Sequence, residues 1–157
     1  MKKNFFLIVI VLFAFAVNLF AQNAESLPKL GITDSDIRAF VKNYDKIEEA
    51  LKKYDSNSAK NDSQILAEVE DILEKNGISG PNRVHKVVAI TSGVSYEIAA
   101  QRINKEIDAA TLKQLQAMGF DPYQAIKQLK AMVHPDDMKV ITKNADLYDE
   151  LYTKIGV

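Results

Sequence analysis

Cysteine and tryptophan are both missing from this sequence of 157 residues. Without cysteine, the chain cannot form disulfides, thiolate zinc sites, iron–sulfur clusters or a thiol nucleophile. A surplus of basic residues is missing as well, because 20 lysines and arginines stand against 21 aspartates and glutamates. Proteins that bind nucleic acid regardless of its sequence rely on such a surplus to attract phosphates. The composition therefore disfavours thiol enzymes, disulfide scaffolds and nucleic-acid partners.

Sequence motifs for catalysis, metal binding and phosphate binding are missing too. The two histidines, His85 and His134, lack the H-E-x-x-H spacing that places two metal ligands on one helical face. The Ser-Gly-Val-Ser stretch at 92–95 is not the G-x-S-x-G elbow of serine hydrolases, and no glycine-rich stretch matches a phosphate loop. A metal shared by His134 with Asp136 or Asp137 is the alternative. We predict a protein that is not an enzyme, with no catalytic residue, cofactor or metal site.

The first 21 residues have the layout of a secretory signal peptide. Two lysines precede an uninterrupted apolar run of thirteen residues from Phe5 to Val17. This run is shorter than the roughly 20 residues that span a bilayer, which favours a cleaved signal over a retained anchor. The small side chain of Ala21 predicts cleavage just after it, and cleavage after Ala24 is the alternative. Membrane contact is then expected only through the signal peptide before it is cleaved.

An exported chain without cysteine fits the bacterial periplasm better than a eukaryotic secretory route, where small domains are rich in disulfides. We therefore predict a periplasmic or secreted bacterial protein. Residues 22–32 contain Pro28 and Gly31 but no periodic apolar pattern, and are predicted to be a flexible leader. Residues 33–157 form one predicted domain, which is long enough to bury a core of its own.

The domain is predicted to be all-α, a compact bundle of five to six short amphipathic helices. No segment alternates with period two over the length of a strand, and the β-branched stretch from Lys86 to Ile90 lies between helical signals. The first helix is predicted from Thr33, which forms a capping box with Asp36. Apolar residues then follow at steps of three and four on one helical stripe, namely Ile37, Phe40, Tyr44, Ile47, Leu51 and Tyr54.

Helix boundaries further along the chain are marked by capping residues, glycine and proline. A second helix is predicted from Asp62 to a left-handed stop at Asn76-Gly77, with Glu70 among its solvent-facing acids. Pro81 is expected at the first position of a third helix, which runs from about Asn82 to Ile107. A short fourth helix is capped by Asp108 and ended by Gly119, a fifth opens at Asp121-Pro122, and a sixth follows His134-Pro135.

Two stretches at opposite ends of the domain resemble each other. When Ile32–Leu51 is aligned with Val133–Tyr152 without gaps, five of the twenty positions are identical, including an aspartate at 36 and 137 and an asparagine at 43 and 144. Two capped amphipathic helices can share this much by chance, which is our preferred interpretation. The alternative is an ancient duplication of one helical unit.

Two functions agree with these features. The preferred hypothesis is a non-enzymatic protein-interaction module that binds another envelope protein or itself. Tyr152, near the C-terminus, is one candidate for an exposed contact. The alternative is a small-molecule or lipid-binding domain, with an apolar cavity where small side chains thin the packing of the third helix, at Ala89, Gly93, Ala99 and Ala100.

Overall fold

The computed structural model describes residues 27–55 and 62–155 of the chain. Within these ranges the chain forms α-helices and one 3₁₀ helix, and no strand. The helices are α1 Asp34–Lys42, α2 Tyr44–Asp55, α3 Asp62–Lys75, α4 Arg83–Glu106, α5 Ala109–Ala117, α6 Gln124–Ala131, α7 Pro135–Lys143, the 3₁₀ helix Ala145–Tyr148 and α8 Asp149–Ile155. The all-α prediction is confirmed. The predicted signal peptide, the first part of the predicted leader and residues 56–61 lie outside the described residues.

Helix α4 lies at the centre of the fold. It contacts α3, α6, α7 and the 3₁₀ helix, and every residue from Lys86 to Ser95 is buried. A helix that is covered on all sides for ten residues must be surrounded by its neighbours, which explains its weak amphipathic pattern. The fully buried side chains on α4 and on the elements around it include Ile37, Phe40, Ile47, Leu73, Ile90, Ile98, Ile141, Tyr148 and Leu151.

Two segments that the sequence predicts as single helices are each interrupted at an asparagine. The first breaks at Asn43, between α1 and α2, and the last breaks at Asn144, between α7 and the 3₁₀ helix. The Asn43 side chain donates to the carbonyl of Asn76 at 2.9 Å, and the Asn144 side chain donates to Asp34 at 2.7 Å. These tertiary hydrogen bonds fix both breaks, and the aligned positions 43 and 144 thus have the same local structure.

Helix α4 begins later than the proline signal predicts. Its first residue is Arg83, so Pro81 lies two residues before the helix, and Asn82 has a left-handed backbone with φ of 57°. The Glu70 carboxylate of α3 accepts the N–H groups of Arg83 and Val84 at 3.2 and 3.1 Å. Glu70, predicted to face solvent, therefore caps the N-terminus of α4 from another helix.

The end of the predicted leader belongs to the folded domain. Ile32 is buried in the core, and the N–H groups of Leu30 and Ile32 donate to the Asp137 carboxylate at 2.7 and 2.9 Å. Asp137 is itself only 1% exposed. The segment 29–32, which lacks any helical or strand pattern, is thus fastened to the first turn of α7 by side-chain hydrogen bonds.

The packing around Gly93 leaves no room for the hypothesised cavity. A Cβ atom on Gly93 would lie 2.6 Å from Cδ1 of Ile141 and 3.3 Å from Sδ of Met138. The small residue therefore lets α7 cross close to α4, and the helix continues without interruption through this point. Gly93 therefore serves packing, and the space beside it is filled by α7.

Candidate functional site

The histidines and acids considered for metal binding have structural partners. Nδ1 of His134 accepts the N–H of Asp136 at 3.1 Å, so this histidine caps α7 with Pro135 at the next position, as predicted. The Asp137 carboxylate is directed to the leader segment, and Lys139 and Lys29 lower the pKa of Asp136 to about 2. Across residues 27–55 and 62–155, no three metal-ligating side chains form a group.

The most buried charged pair also serves the fold. Nζ of Lys86 lies 3.2 Å from Asp36 and donates to the carbonyl of Ser79 at 2.8 Å. Asp36 accepts four further hydrogen bonds, from the N–H and hydroxyl groups of Ser79 and Thr33. Burial acts to raise the pKa of Asp36, but these hydrogen bonds outweigh it and lower the pKa. A carboxylate so fully occupied is not free for acid–base chemistry.

The tyrosines divide into core residues and covered surface residues. Burial raises the pKa of Tyr44 and Tyr148, and the Tyr148 hydroxyl donates to the carbonyl of Ile141 at 2.7 Å. Tyr152, the predicted exposed contact, is half-buried against the core, with the Arg102 guanidinium 6.0 Å from its ring centre. Tyr152 is thus a poor candidate for a contact residue, because its ring already has neighbours.

A different part of the molecule has no buried side chains among its described residues. We call residues 109–132 the arm: it consists of α5, the turn after it and α6. No described side chain in the arm is buried, and the apolar residues of its two helices, such as Leu112 and Leu129, are only half-buried. The arm lies against α4 through α6, and the Tyr123 hydroxyl donates to Asn104 of α4. The arm is therefore attached along one helix, and α5 projects from it.

The turn of the arm carries the most exposed large apolar side chains. We call Met118 and Phe120 the tip; Met118 is 73% exposed and Phe120 is 61% exposed. Sequence reasoning did not single them out: it assigned Met118 to the apolar residues of a helix, and it named Phe120 only among the aromatic residues in general. The available signal was an aromatic residue between a helix-ending glycine and the Asp-Pro that opens the next helix.

Comparison with α3 shows that the tip is exposed for lack of a neighbour. Gly77 after α3 and Gly119 after α5 both have a positive φ, 90° and 82°, as predicted for helix stops. In each turn the N–H of the following residue donates to the carbonyl five residues back, at 3.0 Å for Ile78 and 2.9 Å for Phe120. Ile78 is fully buried, whereas Phe120 projects into solvent. The same type of turn thus places Ile78 in the core and leaves Phe120 exposed to solvent.

A groove opens at the other end of α6. Its volume is about 720 Å³, and its apolar lining comes mainly from Leu27, Ala131, Val133 and Met138. Three lysines, Lys130, Lys139 and Lys143, also line the groove, and no acid is among its described lining residues. An apolar surface with basic side chains at its margin can accommodate an apolar molecule that carries a negative charge.

Comparison with known proteins gives no further information on the tip or the groove. No family model, curated protein or solved structure matches this chain. Among the helices that the structure describes, none has both the length and the apolar character needed to cross a membrane.

Proposed function

We propose that this chain is an exported, non-enzymatic protein-interaction module of the bacterial periplasm, and that the tip is its contact surface. The observation that carries the proposal is the exposure of Met118 and Phe120, two residues apart in the turn of an arm that buries none of its described side chains. Export is supported by the basic and apolar pattern of residues 1–21.

Large apolar side chains at interfaces supply most of the binding free energy. Removing an exposed phenylalanine or methionine side chain from water is worth roughly 1.5–3 kcal/mol. Aromatic residues and methionine are enriched in interface cores. The turn holds the backbone of both residues in a defined geometry, so little backbone entropy is lost when a partner covers them.

The charge of the arm indicates what kind of surface it meets. Residues 109–132 carry three lysines and one aspartate, whereas the rest of the chain after residue 21 has fifteen basic and twenty acidic residues. A protein partner with an apolar depression and an acidic margin complements such an arm. Another envelope protein is the preferred partner, and a second copy of this chain is the alternative.

Site-specific photo-crosslinking in living cells tests this function. A photoreactive phenylalanine analogue is placed at Phe120 in the full-length chain, and in a matched variant at Leu66, which is 43% exposed on α3. The proposal expects one discrete protein adduct from position 120 and none from position 66. An adduct of twice the monomer mass would identify a second copy. A smear of equal intensity from both positions, or no protein adduct, would contradict the proposed function.

A further inference from the structure

The groove beside Leu27 combines an apolar floor with a basic margin. Val133 and Met138 are each 4% exposed and form part of this floor, while Leu27 and Ala131 lie at its sides. Its volume of about 720 Å³ is within the range of about 300–1,000 Å³ that is typical of small-molecule sites. The groove lies at the C-terminal end of α6, where Ala131 is the last helical residue, whereas the tip lies in the turn before this helix begins.

The three lysines at the margin of the groove differ in their interaction partners. Lys139 lies 2.9 Å from Asp136, and Lys143 lies 2.9 Å from Asp34. Lys130 instead lies over the Tyr96 ring, with Nζ 5.3 Å from the ring centre. The ring attracts the ammonium group but carries no negative charge to neutralise it. Within residues 27–55 and 62–155, no ion pair forms at Lys130.

Other acids near the groove leave this charge pattern intact. Glu97 accepts a hydrogen bond from the Thr142 hydroxyl at 2.6 Å, and Thr142 lines the groove. Lys29 adds a second positive charge on Asp136, at 3.1 Å. Because Asp34, Asp136 and Glu97 are not themselves lining residues, an anionic group at the margin would meet lysine side chains first.

We propose that this groove binds a single-chain anionic amphiphile, with the acyl chain on the floor and the acidic head group at Lys130. The apolar floor favours a hydrocarbon chain over a sugar or nucleotide, which would leave polar groups unpaired. The lysine margin favours a carboxylate or phosphate head over a neutral one. This site is independent of the tip and of the proposed protein partner.

The methionines of the chain provide a direct test. Met138 is in the groove and Met118 is at the tip, so their methyl groups report on the two sites separately by NMR after [methyl-¹³C]methionine labelling. Protein purified from cells that express the full chain is titrated with dodecanoate below its micelle concentration, and with dodecan-1-ol as the neutral control. The proposal expects a saturable shift of the Met138 methyl with dodecanoate, a weaker response to the alcohol, and an unshifted Met118.

Variants separate the head-group contact from general charge. K130Q is expected to weaken dodecanoate binding about three- to fivefold, which is the scale of one exposed ion pair. K113Q, which removes a lysine of the arm outside the groove, should leave binding unchanged. A131F, which fills the groove from an exposed position, should abolish the Met138 shift.

Several results would overturn the proposal: no saturable shift at Met138, equal responses to the acid and the alcohol, equal weakening by K130Q and K113Q, or a Met118 shift that matches that of Met138. The last result would show that the amphiphile coats the tip. None of these results depends on the protein partner, so the proposed function is tested separately.

Discussion

Asp137 fastens the segment before α1 to the first turn of α7. Its carboxylate accepts the N–H groups of Leu30 and Ile32, and replacing it with alanine leaves both without an acceptor. A buried donor that loses a charged acceptor costs about 1–3 kcal/mol. We expect D137A to lower the free energy of unfolding by about 2–4 kcal/mol and D137N by less, as measured by urea denaturation. D149N, at an exposed aspartate of α8, is the control and should change it by under about 0.5 kcal/mol. A loss for D137A no larger than the control's would contradict this role.

Asp36 makes the stability of the domain dependent on acid. Its pKa is lowered in the folded state, so the folded protein releases this proton more readily than the unfolded chain, where the pKa is about 3.9. The stabilisation is therefore complete above that value and is lost as the pH falls through the folded pKa. NMR titration of the Asp36 carboxyl carbon should give a midpoint below about 3.9, and the free energy of unfolding should fall in the same range. A midpoint above 4 would contradict the account.

Gly93 and Ile141 are expected to be coupled in stability. A Cβ on Gly93 would overlap Cδ1 of Ile141, so G93A should cost about 1–3 kcal/mol through overpacking, partly offset by about 1 kcal/mol of helix propensity. I141V removes Cδ1 and by itself costs about 0.5–1.5 kcal/mol. The double variant G93A/I141V should lose less stability than the sum of the losses of the two single variants, because the shortened side chain at 141 makes room for the alanine methyl group. Additive losses would show that the two sites do not touch.

At the scale of elements, α4 takes its N-terminal cap from α3. Glu70 accepts the N–H groups of Arg83 and Val84, so E70A should destabilise the domain by about 1–2 kcal/mol. E70Q keeps an acceptor and should retain part of this stability. The control is E106A, which removes the exposed partner of Arg102 and should cost only a few tenths of a kcal/mol. Equal thermal midpoints for E70A and E106A would contradict the capping role.

The helical class and most apolar stripes could be predicted because they depend on local periodicity. Residues such as Ile37, Phe40 and Ile141 repeat at steps of three and four, and each is buried. The break at Asn43 could not be predicted, since it follows from a hydrogen bond to Asn76, 33 residues away. The cap from Glu70 is similarly remote. Local sequence patterns indicate where a helix can form, whereas the break at Asn43 and the cap from Glu70 depend on tertiary contacts.

The candidate sites were harder to predict than the fold, for the same physical reason. The turn signals at Gly77 and Gly119 are both correct, but they do not tell whether the apolar residue that follows is covered. Ile78 is covered and Phe120 is not, because the arm has α4 on one side and no described neighbour beyond the tip. Likewise, the groove is formed by residues from 27 to 143, and no local motif joins them.

At the scale of the whole molecule, a well-filled core around α4 supports an arm that is chiefly surface. Contiguous exposed apolar surface can mark a protein-interaction site. Met118 and Phe120 are the most exposed large apolar side chains among the described residues. A molecule with a packed scaffold and an exposed apolar tip on a basic arm suits the binding function proposed above. We therefore expect substitutions in the tip to leave folding intact and to abolish binding of a partner protein.

One capture measurement tests that claim most directly. The tagged full-length chain is chemically cross-linked in intact cells and captured, and the amount of each recovered protein is compared between the wild type and M118D/F120D, with L66D as the exposed apolar control. We expect the wild type to recover one partner protein in an amount nearly equal to its own. L66D should retain this partner and M118D/F120D should lose it, while both variants keep the circular dichroism spectrum of the wild type. Equal recovery from M118D/F120D and the wild type, or capture of the bare monomer from all three, would contradict it.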